Sequence, residues 1–234
     1  MLTNRKIIVV GGSSGIGLAV ARKASESGAE VVIASRTAEK LESAAAQLGG
    51  RRVRAQVLDA TDECSTTAFF RRVGPFDDLV ISIKPSLPSD RFLESDMVAV
   101  GAAFDTKFWG QYRLAKHATS HIRPGGSITF TSGVASRRTY PGCSAISAMN
   151  AAVEALCKSV AAEIAPIRVN CVCPGFVDTE PPSSSRALHV RAMAPNLPLD
   201  RLGIAMEIAD AYLYLIASPY STGTVVVVDG GATC

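Results

Sequence analysis

The run Gly11-Gly12-Ser13-Ser14-Gly15-Ile16-Gly17 is the stretch whose residue types and spacing most directly imply chemistry. Glycine permits a tight turn and lets backbone N–H groups approach a diphosphate, and the N-terminus of a following helix adds partial positive charge. The β-branched residues Ile7-Ile8-Val9-Val10 feed straight into this run and a helical stretch follows. That context separates a dinucleotide-binding turn from an ordinary Gly/Ser turn. Gly11, Ser13, Ser14, Gly15, Ile16 and Gly17 are therefore the expected diphosphate contacts. A second informative place is the end of the next apolar run, Ala34-Ser35-Arg36. A carboxylate there would accept hydrogen bonds from the ribose hydroxyls of NAD, but none occurs before Glu39. A guanidinium clamps a 2′-phosphate with two parallel bonds, so Ser35 and Arg36 point to NADP(H) over NAD(H).

Positioning these residues requires strands and helices in alternation. Apolar β-branched runs at 5–10, 31–34, 51–58, 77–83, 127–131, 167–172 and 224–228 alternate with helical stretches at 15–28, 95–122, 144–165 and 206–217. Thr37 reads as the cap of a further helix that closes at Gly49-Gly50, and Pro124-Gly125-Gly126 reads as the stop of the 95–122 helix. The Pro- and Ser-rich residues 174–200 read as loop. This pattern predicts an α/β fold, a single Rossmann-type doubly wound parallel sheet of about seven strands with helices on both faces. One dinucleotide-binding domain over 1–234 is expected, with a substrate-loop region about 176–203.

Composition agrees with that architecture and removes other classes. Of 234 residues, 47% are hydrophobic and 19% charged, enough for a buried core and wrong for a disordered chain. The net charge is only +3 with no basic tract, so no nucleic-acid partner is expected. The opening Met-Leu-Thr-Asn-Arg-Lys leads into a short apolar run, and the longest apolar stretches, such as 225–228, are strand-sized. A soluble cytoplasmic protein without a membrane partner follows as the expectation. Cys171 and Cys173 share one face of a strand but have no second Cys/His pair at ligand spacing, so no metal is expected. His117 and His121 share a helix face and read as solvated.

The glycine turn, with Val10 where a threonine is common, resembles the nucleotide motif of the short-chain dehydrogenase/reductase family. Asp59-Ala60 resembles that family's adenine contact, and Arg168-Val169-Asn170 its later strand. Pro174-Gly175-Phe176-Val177-x-Thr179 resembles the loop that holds the nicotinamide amide. Arg201-x-Gly203, Glu207-Ile208-Ala209 and Asp229-Gly230-Gly231 are similar to its C-terminal landmarks, so the likeness spans essentially the whole chain. The resemblance implies cofactor roles for Asp59, Ala60, Pro174, Gly175, Val177 and Thr179, a small-molecule substrate, and a homo-dimer or homo-tetramer.

At the reaction end the resemblance breaks. The family places Asn, Ser, Tyr and Lys there, with the phenol moving a proton while hydride moves between nicotinamide and substrate. Counting along Lys158-Ser159-x-Ala161-x-Glu163 puts Ile146 at the tyrosine position and Asn150 at the lysine position. Gly133 falls at the serine position with Ser132 beside it, and Lys107, three residues before Gly110, falls at the asparagine position. Isoleucine has no transferable proton, so the family's usual relay cannot run. Tyr140, the nearest phenol, lies six residues early, in the loop before the helix. Lysine and asparagine have in effect exchanged walls of one pocket. Two readings of Lys107 stand: an ammonium returned to the site from the other side, or a cation exposed on a repacked helix. Lys107, Ser132 and Asn150 are the candidate catalytic residues.

Three functions fit: an NADP(H)-dependent oxidoreductase acting on a carbonyl or alcohol by a non-standard proton relay; a non-redox NADP-binding isomerase or cyclase; and an inactive NADP-binding scaffold. The retained Pro174-Gly175 and Thr179 favour the first, because a protein that no longer used the ring has less reason to keep the loop that holds it.

Overall fold

A computed structural model describes residues 2–49, 52–87, 90–179 and 185–234. Strand β1 (Lys6–Val10) leads through the glycine turn into α1 (Gly15–Glu26), then β2 (Glu30–Ser35), α2 (Ala38–Leu48) and β3 (Val53–Val57). Then come α3 (Glu63–Val73), β4 (Phe76–Ile81), α4 (Met97–Phe104), a π-helical turn (Asp105–Trp109) and α5 (Gly110–Ala118). Strand β5 (Ile122–Thr131), α6 (Ser144–Glu163) and β6 (Arg168–Pro174) follow. The chain closes with β7 (Val177–Asp178), α7 (Ser185–Arg191), β8 (Gly203–Ile204), α8 (Ala205–Ala217) and β9 (Val225–Val228).

Seven strands form one parallel sheet in the order β3-β2-β1-β4-β5-β6-β9. Alternate β1 residues feed two cores: Ile8 and Val10 pack with Phe70, Leu79 and Phe130, while Ile7 and Val9 pack with Val20, Ile33 and Tyr212. Burial on both faces explains why the strands read as continuous apolar runs rather than alternating ones. The strand order reverses between β1 and β4, the point beyond whose carboxyl ends sheets of this kind bind their ligands. Val10 there sits level with Ala34 of β2 and Ile81 of β4. Among the described residues, no helix is long and apolar enough to cross a membrane.

Four expectations need correction. The single helix at 95–122 is divided by the π-turn and ends at Ala118, with a short 3-10 turn at Thr119–His121. Pro124-Gly125-Gly126 lies inside the entrance of β5, where the pairing with β4 shifts between Phe76 and Asp78, and does not stop a helix. The sequence reading passed over α3, whose interior threonines are poor helix formers. Asp62 caps it by accepting the Cys64 N–H, and Phe69 and Phe70 dock it on the sheet. The 174–200 loop contains α7 and β7, the latter paired with β8 just beyond it. Gly50, Arg51 and 180–184 of the expected substrate loop lie outside the described residues.

Candidate functional site

The turn between β1 and α1 is built so that only glycine fits. A Cβ on Gly11 would stand 2.3 Å from the Ser82 carbonyl oxygen, and one on Gly17 would stand 2.2 Å from the Gly11 carbonyl oxygen. Gly11 also has φ +83°, in the left-handed region. Close backbone packing thus sets the first turn of α1 directly beyond the carboxyl end of β1. Ser14, the N-cap, makes no side-chain cap bond, and the first turn holds no acidic residue. By contrast, α3 and α4 are capped by Asp62 and Asp96. The opening amides of α1 therefore lack the side-chain acceptor those helices have, an arrangement that suits an anionic ligand.

The second observation is at the end of β2. The Ser35 hydroxyl oxygen is buried and has no hydrogen-bond partner among the described residues. Arg36 beside it is exposed and near enough to Asp59 for its charge to act there. Burial, the largest influence, pushes the Asp59 carboxyl up, but bonds from the Thr61 amide and hydroxyl, with the charges of Arg36 and Arg113, hold it below its ordinary value. Ala60 is buried beside it, and its carbonyl accepts from Arg113 at 3.3 Å. Arg113 also grips Asp105 at 2.6 Å, so one side chain links the π-turn and α5 to the loop after β3. Sequence reading missed Arg113 because its contact with Ala60 spans 53 residues and is made to a main-chain carbonyl. His117 likewise has a distant partner, pairing with Glu63 of α3 at 2.6 Å, while His121 stacks on Phe70; neither ring is simply solvated.

Glycines that keep side chains out of the turn, helix amides without a side-chain cap, an orphaned buried hydroxyl and an exposed guanidinium together fit an NADP(H) molecule. Thr179 closes over the same turn, its Cβ 3.3 Å from where a Cβ on Gly15 would be. Pro174 ends β6, Gly175 donates to the Val228 carbonyl at 2.9 Å, and Val177 pairs with Gly203. These contacts seat the Pro174–Thr179 segment against the C-terminal strand.

At the other wall, Lys107 is 6% exposed. Its Nζ donates to the carbonyl oxygens of Ile83 at 3.4 Å and Ser132 at 3.3 Å. The π-turn that carries it packs on α6, the helix of Asn150. Asn150 is also buried, and its Nδ2 lies 3.0 Å from where a Cβ on Gly133 would be. The exposed-cation reading of Lys107 is thereby ruled out. Ser132 offers the site its carbonyl, because its hydroxyl donates to Glu154 at 2.9 Å.

Glu154 was not singled out in the sequence. It also accepts from Ser136 at 2.7 Å and Arg137 at 2.8 Å. Burial pushes its carboxyl up most strongly, but those bonds together with the Arg137 charge outweigh it and leave it below the ordinary value. Arg138 is committed to the Ala232 carbonyl at 2.7 Å, so the Arg137-Arg138 pair faces inward partners. The Tyr140 hydroxyl is buried without a partner among the described residues, and its ring meets Phe176 edge-on at 5.4 Å. Burial raises the Tyr140 phenol further above its ordinary value, which suits packing rather than proton transfer. Burial also raises the Cys171 thiol, to about 12, and no group of His, Cys, Asp or Glu among the described residues could hold a metal.

Comparison with known proteins places this arrangement. A family model described as enoyl-(acyl carrier protein) reductase matches residues 10–233. A 3-oxoacyl-(acyl-carrier-protein) reductase of Mus musculus is 35% identical over 231 residues, covering 95% of each chain. A cis-4-hydroxycyclohexanecarboxylate dehydrogenase of Sinomonas cyclohexanicum is 35% identical over 242 residues, covering 98% of this chain and 96% of that one. The crystal structure of a small-chain dehydrogenase in complex with NADPH matches with a TM-score of 0.80 and 36% identity over 98% of both chains.

Proposed function

The chain belongs to the short-chain dehydrogenase/reductase family, and from that premise we propose that it is an NADP(H)-dependent oxidoreductase in which Lys107 replaces the family's phenol as proton carrier. The coenzyme, when bound, supplies or accepts the hydride. Gly11, Gly15 and Gly17 admit its diphosphate to the α1 amides that Ser13, Ser14 and Ile16 flank, while Ser35 and Arg36 take the 2′-phosphate and Asp59-Ala60 the adenine. The Pro174–Thr179 segment faces the nicotinamide side, and Asn150 borders the pocket across from Gly133.

The observation that carries the proposal is the Lys107 ammonium, buried on two main-chain carbonyls where the π-turn meets α6. Held by these two main-chain carbonyls, the group is placed to exchange a proton with a substrate oxygen. In reduction it gives one proton to the alkoxide oxygen formed as hydride reaches carbon, and water recharges it. In oxidation the lysine, having first released one proton to water, takes the alcohol proton as neutral amine while hydride leaves the carbon. The relatives named as a reductase and a dehydrogenase support redox chemistry on a carbonyl/alcohol pair, and the NADPH complex supports the coenzyme.

The proposal extends to a cytoplasmic homo-oligomer. All six cysteines are free thiols, as a reducing compartment favours, and Trp109 and Tyr112 are exposed beside α5, where a second copy would cover them. Turnover of a carbonyl panel, followed at the reduced-nicotinamide absorbance, tests the function. Lys107→Met should lower kcat by about 10²–10⁴ while NADPH affinity holds within about threefold. Unchanged kcat with Lys107→Met would remove the lysine role, and NADPH binding without turnover of any carbonyl would leave the isomerase or cyclase and the scaffold readings.

A further inference from the structure

Gln111 lies one helical turn beyond Lys107 and is 0% exposed. A primary amide in such a place is costly unless its donors and acceptor are matched. Here its Nε2 donates to the Lys107 carbonyl at 2.8 Å and to the Thr131 carbonyl at 3.1 Å, and its Oε1 accepts the Thr131 N–H at 3.1 Å. One side chain therefore pins the main chain of the π-turn to the carboxyl end of β5.

The two attachment points are the frame of the Lys107 ammonium. The residue after Thr131 is Ser132, whose carbonyl receives Lys107 Nζ at 3.3 Å. Lys107 Nζ, Ser132, Thr131, Gln111 and the Lys107 carbonyl thus close a ring of bonds. Thr131 is held independently on its other side. Its hydroxyl donates to the Ile81 carbonyl at 2.6 Å and lies 2.6 Å from the Tyr212 hydroxyl, deep in the core. The strand end is the fixed post, and the wide turn is the part that would move if the tie were cut.

We infer that Gln111 is a positioning residue: it sets where the Lys107 ammonium sits relative to the Ser132 carbonyl, and through that distance tunes proton transfer. The inference rests on the proposed proton role of Lys107. A bridge of this kind does more than hold the fold, because misplacing a reacting group by about an ångström costs up to roughly a hundredfold in rate.

Gln111→Met keeps the length and removes all three bonds. Two readouts are paired in the full-length protein: the pH profile of kcat with saturating NADPH, and the titration of Lys107 followed by NMR of 13Cε-labelled lysine, assigned through Lys107→Arg. The expected result is kcat lower by about 10- to 100-fold, NADPH affinity unchanged, and the kcat limb and the Lys107 titration displaced together. If the variant is less heat-stable but both midpoints and kcat per folded molecule stay in place, Gln111 is only structural and the inference fails. Should Gln111→Met not fold, Gln111→Asn keeps the amide but is too short to reach both chains, and the same loss is expected; full kcat in it overturns the inference. Unaltered turnover in Lys107→Met would instead sink the lysine assignment, and the NMR titration would still report whether Gln111 places the ammonium.

Discussion

The glycine turn and the lysine pocket lie at the same end of one sheet but work with different parts of the chain. At the turn, main-chain amides face the ligand and side chains are excluded: Gly11 and Gly17 leave no room for a Cβ against Ser82 and Gly11 carbonyls. At the pocket, the main chain is the support, its Ile83 and Ser132 carbonyls holding the Lys107 side chain proposed to carry the proton. A site made of backbone is fixed by the fold and tolerates almost no substitution. A site made of side chains on a fixed backbone can be refitted, here with isoleucine, asparagine and glycine at three positions and lysine at a fourth.

If the two regions are separable, each should fail in its own measurement. The largest effect is expected from Lys107→Met, the loss in kcat given above with coenzyme affinity retained. Gly17→Ala should do the reverse: NADPH affinity by calorimetry drops about 100-fold or more, because backbone must shift to clear the methyl. A variant that moved kcat and affinity together would dissolve the distinction. Arg36→Ala sharpens it within the coenzyme end. Losing a charge-assisted phosphate contact should cost NADPH about 1.5–3 kcal/mol, roughly 10- to 100-fold, and leave NADH affinity nearly unmoved. Equal losses for both coenzymes would remove Arg36 from the 2′-phosphate.

The smallest effect is expected behind the pocket. The Glu154 carboxyl sits below its ordinary value in the folded protein, so its contribution is present above the unfolded value near 4.5 and drains as pH falls through the folded value. Glu154→Gln should cost about 1 kcal/mol near neutrality, roughly 2–4 °C in Tm, and should flatten the loss of Tm below pH 4.5. An acid limb as steep as the parent's would show that Glu154 is not its source.

The sequence displayed the coenzyme end well, because glycines between a β-branched run and a helix act locally, and Ser35-Arg36 follow a strand end. The reaction end was legible only as departures: Ile146, Asn150, Gly133 and Lys107 could be placed by register, but not what replaced the lost phenol. Gln111, Arg113 and Glu154 gave no clear local signal, since most of their partners are about twenty or more residues away or are main-chain atoms that carry no residue type, and only the Arg113–Asp105 pair is near in sequence. Helix α3 was hidden for a related reason: its threonines disfavour a helix, and only packing of Phe69 and Phe70 against the sheet pays that cost.

The wide turn at Asp105–Trp109 has one further consequence. Side chains advance by about 100° per residue in an ordinary helix, so a turn with one residue too many offsets the phase of everything after it. Ala103 upstream and Leu114, Ala115 and Ala118 downstream are nonetheless all sealed in the interior. Deleting a single residue between them would force a choice between keeping those downstream contacts inside and keeping the lysine aimed at its carbonyls. In this segment the chain is intolerant of a change in length even where it would accept a change in residue.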